Sequence, residues 1–283
     1  MQQTLERHPW NRDFAWEVPA GPFRALTDEQ AAQFSERGFV VLDDVLDLDA
    51  VAAVQGVCDV AEAKTDAFLH AQADQRLSIA ESGAITFTTH LVARNAIARA
   101  FASHPLFVDL CFDLIGPDAN LYWDQAVYKK PEKPRRFPWH QDNGYTFVEP
   151  QQYLTCWVPL TDATVENGCP QVAQGLHTLG TLRHHYVDPL GWECLTEPDD
   201  VAVAPVRAGG VVVFSSLTPH LTGPNTTPSV RKAYILQYAP AGAEILRGDP
   251  ASGDAPTRET ADAPDRQYPV LRAGERVEPP PLP

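Results

Sequence analysis

Hydrophobic residues recur at helical spacing in the first part of the chain. The apolar residues that follow this spacing most clearly are Val51, Val54, Cys58 and Ala61. A similar pattern covers residues 104–114. Thr27-Asp28-Glu29-Gln30 has the composition of a capping box, which predicts a short helix followed by a strand at Phe39–Leu42. Residues 27–116 are therefore predicted to be mainly helical.

From about residue 120 the pattern changes to short runs rich in β-branched and aromatic residues, separated by Pro, Gly and Asn. The predicted strands cover residues 121–128, 153–160, 201–203, 211–214 and 232–238. Since no long amphipathic helix separates them, a parallel sheet with crossover helices is disfavoured. Many short strands joined by tight turns favour a sandwich or jelly roll.

The predicted organisation is a single domain over residues 1–247 followed by a tail. The domain is mainly β with flanking α-helices, and consists of the helical part at 27–116 and a jelly-roll core at 120–240. The tail, 248–283, is rich in Pro, Asp, Glu and Gly and has few apolar residues to bury. We expect it to lie on the surface or to be partly disordered.

Composition narrows the class of protein. The chain has 283 residues, of which 44% are hydrophobic, and no apolar stretch of the roughly 18 residues that a membrane span requires. Its start does not resemble a signal peptide, and its five cysteines form no Cys-x-x-Cys pair, so we expect a soluble cytoplasmic protein with free thiols. A net charge of -15 disfavours nucleic acid as a partner. We expect a monomer or homodimer that acts on a small molecule.

One basic cluster interrupts this acidic chain. Its members are Lys129, Lys130, Lys133, Arg135 and Arg136. A local positive patch can attract an anion, so the cluster is either an anchor for a carboxylate or phosphate of the substrate or a solvated loop. The acidic remainder could equally favour a cationic substrate, and the two interpretations stay open.

The segment Trp139-His140-Gln141-Asp142 contains a candidate metal-binding pair. Residues i and i+2 of an extended segment point to the same side, so His140 and Asp142 can reach one ion. Alone the pair is weak evidence, because chance yields about 0.7 such pairs in a chain of this composition. Two imidazoles and one carboxylate would complete the facial triad of non-haem Fe(II) enzymes. Candidates for the second imidazole are His177, His184, His185 and His220.

His220 is favoured because it follows the strand at 211–214 and precedes Arg231, which opens the strand at 232–238. The planar fork of an arginine binds a carboxylate through two parallel hydrogen bonds. A keto acid that chelates iron through its ketone and adjacent carboxylate would present its distal carboxylate to Arg231, and Thr222 could donate a further hydrogen bond. The alternative for Arg231 is a surface strand residue.

These residues and their flanks resemble the phytanoyl-CoA dioxygenase family of Fe(II)- and 2-oxoglutarate-dependent oxygenases. The blocks that carry the resemblance are Lys130-Pro131, Phe137 through Tyr145, Trp157 through Asp162, Glu166 through Cys169, and Val211 through Phe214 with His220, Asn225 and Arg231. Weaker similarity extends it to most of residues 27–240.

The resemblance implies a double-stranded β-helix, the cupin-like form of the jelly roll, and an Fe(II) site. It implies His140, Asp142 and His220 as iron ligands and Arg231 as the anchor of 2-oxoglutarate. The same resemblance places Trp157, Thr222 and Tyr145 beside the co-substrate. The implied reaction consumes O2, converts 2-oxoglutarate to succinate and CO2, and usually hydroxylates an unactivated C–H bond of a small molecule.

Two differences from related proteins restrict the expected reaction and the expected substrate. Related halogenases have Gly or Ala in place of the metal carboxylate, so Asp142 favours hydroxylation or another oxidation. Acyl-CoA-using relatives often have a lysine in the region of residues 82–91, and this chain has none there. A CoA-thioester substrate is therefore disfavoured.

Substrate contacts are expected around the strand openings. The candidates are Gln125, Tyr128, Asn143, Tyr145 and Phe147. The loop at 184–192 is either a lid over the site or ordinary surface packing.

Two functions of a different kind stay open. One is a non-catalytic or differently metallated jelly-roll binding protein, since fold does not fix function. The other is a zinc hydrolase with the same His-Asp-His set, which would need a general base that the sequence does not mark.

Overall fold

The computed structural model describes residues 5–282. The helices are α1 (Asp28–Arg37), α2 (Leu48–His70), α3 (Ala96–Ala102), α4 (Pro105–Leu114) and α5 (Asp142–Tyr145), with 3-10 turns at Leu91–Ala93 and Leu176–Leu179. The first nine strands are β1 (Phe39–Leu42), β2 (Arg76–Leu77), β3 (Ala80–Glu81), β4 (Ile85–Thr89), β5 (Ala119–Lys129), β6 (Val148–Glu149), β7 (Leu154–Pro159), β8 (Pro170–Ala173) and β9 (His185–Val187). The other nine are β10 (Gly191–Glu193), β11 (Val201–Val203), β12 (Val211–Ser215), β13 (His220–Thr222), β14 (Arg231–Pro240), β15 (Glu244–Arg247), β16 (Thr257–Thr260), β17 (Pro269–Arg272) and β18 (Glu275–Arg276).

The strands form one large antiparallel sheet and several small ones. The large sheet has the order β1-β12-β7-β14-β5-β4-β3-β2, and β17 also pairs with β5. A second sheet, β11-β8-β13, packs against its inner face, where Val172 of β8 shares a core with Trp157 and Ile235. The predicted jelly roll is confirmed, and the five strands predicted from residue 120 onward lie within one or two residues of their predicted ranges, whereas β8 and β13 of the second sheet were not predicted.

Alternation along the central strands separates an outer core from an inner one. On β14, Tyr234 and Leu236 pack outward against the helices, whereas Ala233 and Ile235 face the interior between the sheets. Because side chains alternate along a strand, the odd-numbered residues of β14, β7 and the second half of β5 all point inward. The inner face of the large sheet is therefore the surface available for a site.

The N-terminal region follows its sequence pattern closely. Thr27 Oγ1 accepts from Gln30 N at 3.2 Å and Gln30 Oε1 accepts from Thr27 N at 2.9 Å, which completes the predicted capping box. The helix α1 ends at Gly38 with φ 84°. A Cβ at this position would lie 2.6 Å from His177 Nδ1, so a glycine is required where α1 passes into β1.

Strand β4 lies within the region predicted to be mainly helical. Its Thr86 donates to Glu62 on α2 at 2.9 Å, and Thr88 donates to Thr65 on α2 at 3.0 Å. Ile85 and Phe87 alternate with these threonines and pack in the inner core, a short apolar–polar alternation that the prediction of a mainly helical region overlooked.

The C-terminal segment is more ordered than its composition predicts. Strand β17 pairs with β5, and Val270 and Leu271 are fully buried in the outer core. Buried Arg99 holds the segment by donating to the carbonyl oxygens of Asp265, Pro280 and Pro281 at 2.5–2.8 Å. The expectation of a surface or partly disordered tail is wrong for these residues, because one short apolar strand and one arginine anchor it. The domain boundary at residue 247 stays a prediction.

Within the described residues, no helix combines the length and the apolar character needed to cross a bilayer. All five cysteines are buried and free.

Candidate metal and co-substrate site

Three side chains converge at one end of the inner face. His140 lies just before α5, Asp142 is the first residue of α5, and His220 opens β13. One ligand atom from each residue lies within 4.8 Å of the others, and the two imidazole centroids are 4.3 Å apart. The sequence-predicted trio is thus brought together in space.

Both imidazoles are oriented through their Nδ1 atoms. Nδ1 of His140 lies 2.8 Å from the Pro138 carbonyl oxygen, and Nδ1 of His220 lies 3.0 Å from that of Thr218. A carbonyl can only accept, so each Nδ1 carries the proton and each Nε2 keeps a free lone pair. Burial, with the charge of His220 as a smaller contribution, lowers the pKa of His140 well below its usual value. A neutral imidazole is the form that binds a metal ion.

The carboxylate of Asp142 is held by a neighbouring strand. Thr155 of β7 donates its hydroxyl to Asp142 Oδ2 at 2.6 Å. Thr155 stands two residues before Trp157 and therefore points to the same inner face. Sequence reasoning missed Thr155, although its place in the alternation of β7 could have indicated it.

Gln141, between the two ligand candidates, is fixed on both sides. Its backbone N–H donates to His184 Nε2 at 2.9 Å, and Nδ1 of His184 lies 2.9 Å from the Leu182 carbonyl oxygen. Burial lowers the pKa of His184 to about 4, consistent with a neutral acceptor at Nε2. The Gln141 amide donates to Leu217 O at 2.5 Å, and its oxygen accepts from Leu182 N at 2.6 Å. His184 therefore supports the metal segment.

The other two candidates for the third ligand lie outside the cluster. His177 is fully buried, with Nε2 3.1 Å from the Ser35 carbonyl oxygen. His185 is exposed on β9. Of the four histidines considered from the sequence, His220 alone joins His140 and Asp142.

Arg231 is an unpaired cation inside the protein. Its side chain is 0% exposed, and none of its three guanidinium nitrogens has a hydrogen-bond partner among residues 5–282. Its Cζ lies 5.2 Å from the centroid of the Trp157 ring. Burial lowers the pKa of Arg231 to about 10, which leaves it charged at neutral pH. The surface interpretation is wrong, and a buried unpaired guanidinium requires an anion.

Tyr145 and Thr222 flank this region. The Tyr145 ring stands edge-on to His140, with centroids 5.3 Å apart and an interplanar angle of 85°. Thr222 ends β13, and its carbonyl oxygen accepts from Phe137 N at 2.9 Å and from Lys129 Nζ at 2.7 Å. The Thr222 side chain is partly buried.

Of four further substrate-contact candidates, only Gln125 faces the interior. Tyr128 lies on the outer face of β5 and donates to Asp59 of α2 at 2.6 Å. Asn143 is buried and donates to Thr181 Oγ1 at 2.6 Å, and Phe147 packs against the His8 ring at 4.7 Å. Tyr128 points outward because side chains alternate along β5, the Asn143 side chain is occupied by internal hydrogen bonds, and the Phe147 ring packs against other aromatic rings.

Gln237 of β14 was missed by the sequence analysis. It pairs with Thr155 on one side and with Trp123 on the other, on the inner face. The carboxamides of Gln237 and Gln125 make no hydrogen bond to the described residues, and both are free to bind a ligand. An inward polar residue in a strand otherwise rich in apolar residues is the feature that could have indicated it.

Every member of the basic cluster makes ion pairs or hydrogen bonds within the protein. Its ion pairs are Lys130 with Glu62 at 2.6 Å, Lys133 and Arg135 with Glu81 at 3.1 Å each, and Arg136 with Glu193 at 2.9 Å. Lys129 is buried beside Arg231. The cluster is therefore not a free anion anchor, and Lys133 and Arg136 are exposed to solvent at the surface of the loop.

The loop at 184–192 forms the hairpin β9-β10 next to the site. A Cβ on Gly191 would lie 2.8 Å from the Tyr145 hydroxyl oxygen, so the hairpin packs directly on Tyr145. Tyr186 and Trp192 face each other across the hairpin with centroids 5.6 Å apart, and both are exposed. Movement of this hairpin as a lid stays a prediction.

Comparison with known proteins agrees with this geometry. A family profile described as phytanoyl-CoA dioxygenase matches residues 34–233. The methylphosphonate hydroxylase of Gimesia maris is 30% identical over 53% of this chain and 57% of its own length. The ectoine dioxygenase of Sphingopyxis alaskensis is 25% identical over 75% of this chain and 76% of its own.

A solved structure shares the fold. The epimerase SnoN, crystallised with Fe3+, alpha-ketoglutarate and nogalamycin RO, superposes with a TM-score of 0.63 at 23% identity, covering 82% of this chain and 93% of its own. With the family profile spanning most of the catalytic core, this chain belongs to the phytanoyl-CoA dioxygenase family of Fe(II)- and 2-oxoglutarate-dependent oxygenases.

Proposed function

We propose that His140, Asp142 and His220 bind Fe(II), that Arg231 binds the distal carboxylate of 2-oxoglutarate, and that the enzyme hydroxylates a C–H bond of a small molecule. The observation that carries the proposal is the buried, unpartnered guanidinium of Arg231 on the same inner face as the His-Asp-His cluster. A non-catalytic jelly-roll protein would have no use for such a group.

The residues present fit the metal and the co-substrate. Two neutral imidazoles with free Nε2 atoms and one carboxylate form the nitrogen and oxygen donor set of a non-haem Fe(II) site. Arg231 offers a planar fork that matches a carboxylate, and Trp157 covers the guanidinium on one side. Bound Fe(II), with 2-oxoglutarate and O2, supplies the oxidising chemistry.

The chain itself orients and shields the reacting groups. The Pro138 and Thr218 carbonyls fix the two rings, and Thr155 fixes the Asp142 carboxylate. Tyr145 and the apolar inner core around Phe137 exclude water from the face of His140. A dry, preorganised site strengthens each electrostatic contact with the bound acid.

We propose that the substrate enters beside Asp142 and contacts Gln125 and Gln237. A cavity of about 440 Å³ is lined by Trp123 and by Thr146, the residue after α5. Trp123 is the cross-strand neighbour of Gln237, which links the cavity to the inner face. The free amides indicate a substrate with hydrogen-bonding groups, and the two relatives named above act, by their names, on small molecules.

The net charge and the cysteines support the proposed class of partner and the proposed location in the cell. The net charge of -15 argues against nucleic acid as a substrate, and five free cysteines fit a reducing cytoplasm. A monomer or homodimer stays a prediction from the sequence.

The test is Fe(II)-dependent conversion of 2-oxoglutarate to succinate, measured by mass spectrometry with a panel of small polar molecules. We expect His140→Ala, Asp142→Ala and His220→Ala to abolish succinate formation, and His185→Ala, an exposed histidine outside the cluster, to retain it. Succinate formation that persists in the Asp142→Ala protein at the wild-type rate would rule the assignment out.

A further inference from the structure

Lys129 is a lysine buried beside the proposed co-substrate site. It is the last residue of β5, and it is 2% exposed. Its Nζ donates to three backbone carbonyl oxygens, those of Arg135 at 3.1 Å, Thr222 at 2.7 Å and Gly223 at 2.5 Å. An ammonium group has three donors, so all of them are used.

Lys129 and Arg231 are direct partners across the β5-β14 ladder. Both side chains belong to the inward-facing set of their strands, so two cationic groups stand next to each other inside the protein. Across residues 5–282, no carboxylate approaches either group within ion-pair distance. Burial, followed by the charge of Arg231, lowers the pKa of Lys129 well below its usual value.

Two like charges directly opposite each other destabilise a strand pair, and burial strengthens the repulsion. When an anion binds next to the pair, its negative charge offsets this repulsion. The carbonyl oxygens around Lys129 Nζ solvate the ammonium but carry no net charge. With Lys129 protonated, the net positive charge of this pocket is greater than the single charge that Arg231 provides.

We infer that Lys129 is a positioning residue that makes the co-substrate site selective for 2-oxo acids with a second carboxylate. The inference rests on the proposed function, because it assigns the distal carboxylate to Arg231. Lys129 does not touch the acid, since its donors are occupied. It acts through its charge behind Arg231.

Lys129 also acts through the segments that it ties together. Thr222 and Gly223 follow His220 by two and three residues, and Arg135 precedes His140 by five. One ammonium group thus joins β5 to the chain leading into the first histidine and to the chain leaving the second. The backbone on both sides of the acid is fixed to a single buried atom.

The experiment compares two 2-oxo acids in wild-type protein and in Lys129→Met, which removes the charge while keeping the length of the side chain. The acids are 2-oxoglutarate and 2-oxopentanoate, which has the same chain length but no distal carboxylate. Dissociation constants of both acids are measured by calorimetry on Mn(II)-loaded protein, and KM and kcat for 2-oxoglutarate are measured by succinate release. Lys232→Met is the matched control, because Lys232 is the next residue of β14 after Arg231 and points outward to Asp59.

We expect Lys129→Met to raise the dissociation constant and KM for 2-oxoglutarate on the order of tenfold, to leave kcat within about threefold, and to change 2-oxopentanoate binding less than twofold. Lys232→Met should leave both acids unchanged. Lys129→Gln, which removes the charge but keeps a donor for the carbonyls, should repeat the selective loss.

Equal weakening of both acids would overturn the inference, because a purely structural lysine predicts that result. Unchanged 2-oxoglutarate binding in folded Lys129→Met protein would overturn it as well, because it would mean that the lysine carries no effective charge. Failure of the proposed function looks different. In that case the wild-type protein would not bind 2-oxoglutarate in a metal-dependent way.

Discussion

His140 and His220 are joined by two backbone hydrogen bonds in addition to the proximity of their rings. The N–H of His140 donates to the His220 carbonyl at 3.0 Å, and the N–H of His220 donates to the His140 carbonyl at 2.8 Å. These two hydrogen bonds fix the distance between the backbone segments of His140 and His220 without the help of a metal ion. The separation of the imidazoles is thus set by the backbone, and the carboxylate is the ligand whose position depends on a side-chain contact.

Removal of that contact should weaken metal binding selectively. In Thr155→Val the Asp142 carboxylate loses its 2.6 Å hydrogen bond while the shape of the side chain is kept. Loss of a partner that orients a ligand typically lowers metal affinity about 10- to 100-fold, and we expect an effect in that range for Fe(II) or Mn(II) measured by calorimetric titration. Thr88→Val is the control, because Thr88 contacts Thr65 on the outer face. Equal metal affinity in both variants would show that Thr155 has no such role.

The two inward amides should govern substrate affinity. Gln125→Ala and Gln237→Ala are each expected to raise the substrate KM about tenfold, because each hydrogen bond to the substrate would be lost, with a much smaller effect on KM for 2-oxoglutarate. Tyr128→Phe is the matched variant on the opposite face of β5, where it loses only the hydrogen bond to Asp59. It should reduce stability by about 1 kcal/mol and leave KM unchanged. A Tyr128→Phe protein with altered substrate KM would contradict this division of the sheet.

The sequence predicts those parts of the site that follow local spacing. His140 and Asp142 are two residues apart, and Arg231 opens a strand whose alternation is clear, so their common location could be anticipated. The capping box at Thr27 and the strand at 211–215 were accessible for the same reason.

The missed residues depend on contacts between distant segments. Thr155 reaches the metal segment from β7 and His184 from the loop before β9, over 13 and 43 residues of sequence. Tyr128 was misassigned because Gln125 and Tyr128, three residues apart on β5, point to opposite faces, and contacts with other elements decide which face is the inner one. Lys129 was grouped with an anion anchor or a solvated loop because nothing in its sequence neighbours shows that three carbonyl oxygens will surround it.

Acid should destabilise the protein partly through His177. Burial lowers the pKa of His177 to about 4, and the Ser35 carbonyl offsets only part of that shift. His177 therefore has its ordinary pKa of 6.5 in the unfolded chain, so between pH 6.5 and pH 4 the unfolded chain binds a proton that the folded chain does not. The stability associated with neutral His177 is fully present above pH 6.5 and is lost as the pH falls towards 4, by at most about 1.4 kcal/mol per pH unit.

Urea denaturation of the metal-free protein between pH 7 and pH 4 measures this contribution. His177→Gln keeps a donor for Ser35 but cannot titrate, so its free energy of unfolding should fall less steeply with acid than that of the wild type. His185→Gln, at an exposed position on β9, should follow the wild-type curve. Parallel curves for His177→Gln and wild type would show that this histidine is not the source of the acid sensitivity.

The C-terminal segment should be required for stability. A chain ending at residue 256 loses β17, whose Val270 and Leu271 are 0% exposed, together with the fully buried ring of Tyr268. At about 1.5–3 kcal/mol for each large buried side chain, the truncation should cost about 5 kcal/mol or more of the free energy of unfolding, measured in urea. Arg99→Met tests the anchor separately, because it removes the donors to the Asp265, Pro280 and Pro281 carbonyls but keeps the strand. We expect a loss of about 2–3 kcal/mol, since hydrogen bonds from a charged group are stronger than neutral ones. A truncated chain as stable as the full one would restore the sequence-based interpretation of a loosely attached tail.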